Sequence, residues 1–92
     1  MKRNLSTVIT DHLDDPVVIN NVELTLYDVV IGALVQQAPQ NAKAIEAGAL
    51  AIKIGSNKEL DIEAAEIALI EERLANVWGP VIVQRAKMLL NA

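Results

Sequence analysis

Ninety-two residues with a net charge of −4 and no cysteine make one small domain without a disulfide framework, a thiolate metal site or a cysteine nucleophile. The acidic balance, with a pI near 4.8, opposes a nucleic-acid-binding surface, because affinity for phosphates is carried by Lys and Arg. Hydrophobic residues make up 52% of the chain, and aromatics only 2%. That aliphatic excess is more than a small monomer hides, so a homo-oligomer, by preference a dimer, or an obligate partner is expected.

Residues 1–15 read as polar and irregular with a frayed start, and only Leu5 and the run Thr7-Val8-Ile9-Thr10 offer packing groups. The Met1-Lys2-Arg3 start carries positive charge, but Asp11, Asp14 and Asp15 interrupt what a signal peptide would need to keep apolar. A cytoplasmic protein without a secretion signal is the expectation. His12 among those three carboxylates sketches a cation site, yet the stretch lacks the spacing of a ligand cage and reads as a solvated acidic loop. No metal and no cofactor are expected.

From Pro16 to Leu24, two short β-branched runs flank Asn20-Asn21. Asn tolerates the positive φ of a two-residue turn, so the pattern predicts a hairpin, which must pack on the helices or pair with a second copy because two isolated strands are marginal in water. Thr25 offers an N-cap hydroxyl and Asp28 the N3 carboxylate of a capping-box-like arrangement, which predicts a helix over about Leu26–Gln37. This helix is apolar almost all round and belongs at the centre of the fold. Its near-continuous apolar run, Val29 to Val35, falls far short of the roughly 20 residues that span a bilayer. No membrane role is expected.

Pro39 separates the next helix, about Gln40–Ile54, in which Ala42, Ile45, Ala49 and Ile52 share one face and Lys43 and Glu46 another, with Gly55 as its C′ residue. Ser56 to Glu59 form a polar loop, Leu60 a short extended residue that packs back, and Asp61 the N-cap of a third helix with Glu63 in its first turn. That helix carries Ile67, Ile70, Leu74 and Val77 on one stripe, with Glu63, Glu66 and Arg73 off it. The chain then hinges at Gly79-Pro80, where proline suits a first helical turn, and a last helix follows with Ile82, Ala86, Leu89 and Leu90 on its apolar face.

The fold class is therefore mainly α: a short β-hairpin followed by a bundle of about four helices, the last two forming a helical hairpin. Trp78 at the hinge reads as core at a helix junction, with an interface anchor as the other reading. Gln84, Arg85 and Lys87 could mimic a recognition helix, but two basic residues among so many acids read as the wet face of the last helix. Glu59, Asp61, Glu63, Glu66, Glu71 and Glu72 invite the idea of paired carboxylates, but no nucleophile, histidine or phosphate cradle lies beside them, so an enzyme is not expected. Of these, Glu63, Glu66, Glu71 and Glu72 belong to the third helix. With Trp78, Val81 and Met88 they form instead a candidate interaction surface, clustered carboxylates on a rigid helix being able to steer a basic partner.

The segments LTLYDVVIGAL after a hairpin, LAIKI closing a helix, LDIEAAEIALIEERL, and a GP turn into VIVQRAKMLL together resemble a group of small bacteriophage- and prophage-encoded proteins over about Val22–Leu90. The resemblance implies a phage setting and carries no functional residue with it. In that setting the acidic helix, as a charge-complementary surface, leads to the expectation of an accessory protein acting through protein contacts, with a host factor as the partner class. The alternative class is structural, an assembly factor or chaperone for virion parts, for which aliphatic surface and self-association are useful properties. For the dimer, Ala64, Ala68 and Ala75 on the third helix and Val81, Val83 and Met88 on the last are expected to supply much of the interface.

Overall fold

Two asparagines set the first tertiary feature. Asn20 and Asn21 both adopt positive φ, 53° and 64°, the backbone of a type I′ turn, whose twist matches that of the strands it joins. The computed structural model, which describes residues 2–36 and 43–91, shows the resulting hairpin as β2 (Val18–Ile19) and β3 (Val22–Glu23), preceded by β1 (Lys2–Asn4). The helices α1 (Leu26–Val35) and α2 (Ala44–Ile54), the strand β4 (Glu59–Asp61) and the helices α3 (Ala64–Val77) and α4 (Pro80–Leu90) follow. Pro39 and Ala42 lie outside the described residues.

The helix α1 starts where local chemistry demands it. The Thr25 side chain accepts from the Asp28 N–H, and the Asp28 carboxylate accepts from the Thr25 N–H at 3.1 Å, closing the capping box. Leu26, Val29, Val30, Ala33 and Leu34 are buried, and α2, α3 and α4 all pack against this helix. The centre of the fold is thus the helix whose composition leaves it no polar face.

Residues 2–4 form a strand within the segment expected to be polar and irregular. The strand β1 pairs antiparallel with β4, with Arg3 opposite Leu60. The chain then crosses the beginning of α1, the Tyr27 N–H donating to Leu5 O and the Leu26 N–H to Thr7 O. Leu5 and Ile9 are fully buried. Pairing with a strand so far along the chain satisfies backbone groups that the local sequence leaves open. It also changes the next helix start: Asp61 is drawn into β4, and the N-cap of α3 is Glu63, whose N–H donates to Glu66 Oε1 at 2.9 Å.

In α2 the apolar face that helical spacing picks out, with Ile45, Ala49 and Ile52, is turned to solvent, and the opposite stripe packs. Ala47, Leu50 and Ile54 face the core, while Ile45 and Ile52 are 85% and 84% exposed and Ala49 is exposed between them. Both stripes have helical spacing, and the inward one wins because it joins the cluster around α1. Arg73 departs from expectation in the other direction. It is 4% exposed, with Nε donating to Ala33 O at 2.8 Å and the guanidinium reaching Gln36 O. The last turn of α1 holds no basic residue of its own. Arg73 supplies from α3 the donors and positive charge that a helix C-terminus attracts.

Candidate functional site

The acidic residues of α3 do not form one surface. The Lys53 ammonium donates to both Glu66 carboxylate oxygens at 2.9 and 2.8 Å, and Lys43 bonds Glu72 at 2.9 Å. These two ion pairs bridge α2 to α3 over an open groove of about 590 Å³, floored by Ala49, Leu50, Ala65 and Leu69. Glu71 instead accepts from the Asn91 side chain at 3.0 Å, and with Glu63 and Arg3 it borders a second groove, lined also by Ile62, Ile67 and Ala68. The carboxylates of Glu66 and Glu72 are therefore neutralised within the monomer. A steering field from the whole helix is correspondingly weakened.

Partial burial works against ionisation of Glu66, but the hydrogen bond from Lys53 and the N–H of Glu63 outweigh it and hold the carboxyl below its ordinary range. The same bonds raise the ammonium groups, that of Lys43 through Glu72 and that of Lys53 through Glu66.

Trp78 is half-buried at the hinge, its indole N–H donating to Val29 O at 3.0 Å and its ring lying against Gly32. It is a packing residue that ties the end of α3 to α1. Val81 and Met88 are exposed on α4, as are Ala64, Ala68 and Ala75 on α3, whereas Val83 packs against the core.

Around His12 the carboxylates serve the loop itself. Asp11 Oδ1 accepts from the N–H groups of Leu13 and Asp15, at 2.8 and 3.0 Å, and these bonds hold its carboxyl below the usual value. Arg85, expected on a solvated face, reaches across to Asp11 O and to Asp14 Oδ1 at 2.7 Å, fastening the loop to α4. Among the described residues no group of three or more His, Asp or Glu is arranged to hold a metal ion, and no helix is long and apolar enough to cross a membrane.

Among the described residues two further apolar surfaces are exposed. One is the outer face of α2 with Ile45, Ala49 and Ile52. The other is the β2–β3 arm, where Val18, Ile19 and Val22 are all exposed. Ile19 and Val22 are cross-strand partners flanking the turn, and Val18 opposite Glu23 points to the other side. The root of the arm is packed, Leu24 being buried and Val17 resting on the core, while its tip stands clear. No family model, no curated protein and no solved structure matches the chain.

Proposed function

We propose that this chain is a small accessory protein of phage type that acts through protein–protein contacts, with the β2–β3 arm as the element a partner grips. The observation that carries this reading is an arm apolar on both sides of its ladder at Val18, Ile19 and Val22. A two-stranded hairpin is marginal in water, and one that shows aliphatic groups on both faces is best satisfied inside a groove. Glu23 and Asp15 are exposed beside it in the chain. The partner surface that fits is an apolar groove on a protein, bordered by Lys or Arg, and a host factor is the class of partner proposed. No reaction is part of this proposal.

The experiment is affinity capture from the cells in which the chain is made, run beside the folded double variant Val18→Glu/Val22→Glu. One protein retained in stoichiometric amount by the natural chain and lost from the variant is the expected result. Equal recovery by both, or recovery of none, overturns the reading.

A further inference from the structure

We infer that the outer face of α2 binds a second copy of this chain, as an antiparallel helix pair crossing at Gly48 and Ala49. The inference concerns a different surface from the arm and stands or falls independently of it.

The first observation is the exposure of two isoleucines on a well-formed helix, Ile45 at 85% and Ile52 at 84%. They are one heptad apart, with Gly48 and Ala49 between them on the same face, the spacing of a helix-pairing seam. The seam reads the same in both directions. In an antiparallel two-fold pair Ile45 meets Ile52 of the other copy at each end, and Gly48 meets Ala49 at the centre. A self-complementary patch is what an isologous interface requires.

Gly48 is the second observation. It lies in the interior of α2, where glycine is costly, and a Cβ built on it would meet nothing within 4 Å. Among the described residues nothing packs on this position. A helix crossing directly over this position does, since the missing side chain lets two backbones approach closely.

The charges beside the seam are compatible with the antiparallel orientation. Glu46 and Lys53 flank the seam on the same side, both lining the α2–α3 groove. Antiparallel pairing opposes the two helix dipoles and brings Glu46 of each copy toward Lys53 of the other, whose ammonium is then shared between that Glu46 and the Glu66 it bonds in its own chain.

The seam is short, since α2 has 11 residues. It buries less than a standard interface, so a dissociation constant on the order of 10–100 µM is expected.

Sedimentation equilibrium from micromolar to roughly millimolar concentration measures the association. The natural chain should pass from 10.0 kDa toward twice that mass, and Ile52→Glu, at a site with no core contact to lose, should stay monomeric with an unchanged circular dichroism spectrum. Because the chain has no cysteine, single cysteines report the geometry. Ala49→Cys should oxidise to a covalent dimer, Ile45→Cys alone should not, and a mixture of Ile45→Cys and Ile52→Cys chains should yield the mixed dimer. A monomer at every concentration, a dimer indifferent to Ile52→Glu, or a self-linked Ile45→Cys dimer would each overturn the inference, the second moving the contact to another face and the third making it parallel.

Discussion

The indole of Trp78 occupies the space that a side chain on Gly32 would need: a Cβ there would stand 2.8 Å from Cζ2 of the ring. Real Cβ atoms do not tolerate that approach, and the ring is held by its own N–H on Val29 O. The glycine in the middle of α1 is thus the seat that lets the α3–α4 hinge dock.

Gly32→Ala is accordingly predicted to destabilise the protein by a net of about 1–2 kcal/mol, overpacking outweighing the roughly 1 kcal/mol that alanine gains in a helix. Gly48→Ala, with open space around it, should raise monomer stability by about 0.5–1 kcal/mol. Urea unfolding at low micromolar concentration measures both, and the single Trp reports the first directly through a red shift of its emission. A gain in stability for both variants would mean that the ring moves aside freely.

Arg73→Met keeps most of the stem and removes the donors to Ala33 O and Gln36 O. Hydrogen bonds from a charged group are each worth about 1.5–3 kcal/mol, and the carbonyls left behind are partly buried, so a loss of about 2–4 kcal/mol is expected. Arg73→Lys should recover only part of it, because one ammonium cannot reproduce a planar fork. Full rescue by lysine would show that charge alone suffices at the end of α1.

The orientation of α2 gives a third test. Leu50→Ala, on the inward stripe, should cost about 2–5 kcal/mol, as should Ile9→Ala and Ile70→Ala at fully buried positions. Ile45→Ala should change monomer stability by less than about 0.5 kcal/mol. The reverse order for Leu50 and Ile45 would restore the orientation that helical spacing first suggested.

How far the chain could be read in advance follows the range of the interactions involved. The Asn20-Asn21 turn, the Thr25–Asp28 box and the inward stripe of α3 are legible because each is decided within a few residues. The orientation of α2 is not, since Ile45/Ala49/Ile52 and Ala47/Leu50/Ile54 are equally periodic and only the neighbouring helices choose between them. β1 escaped notice because Lys2-Arg3-Asn4 has no β-branched residue and its partner lies at Glu59–Asp61. The candidate surface suffered from the same long-range ignorance: the carboxylates of α3 look like one acidic face until Lys43 and Lys53 of α2 are seen to hold Glu72 and Glu66.

Glu66 and Asp11 contribute a dependence of stability on pH. Glu66 has a folded pKa below its unfolded value, and Asp11 does too. Each favours the folded state fully above the unfolded carboxylate range, and that contribution fades as pH falls through the lowered folded pKa. Stability should therefore decline on acidification, beginning near pH 5 and steepening below about pH 4. At the other end Lys43 and Lys53 have folded pKa values raised by Glu72 and Glu66. Their contribution is complete below the unfolded lysine value and is lost only as pH rises through the higher folded one, above about pH 10. The variant Glu66→Gln separates the carboxylate from the rest, because glutamine can still accept from the Glu63 N–H while losing its charge toward Lys53. Denaturant midpoints measured from pH 3 to pH 7 should show a shallower acid decline for Glu66→Gln than for the natural chain, together with a loss at pH 7 of less than about 1 kcal/mol. Parallel curves for the two proteins would assign the acid sensitivity to Asp11 and its loop rather than to the α2–α3 bridge.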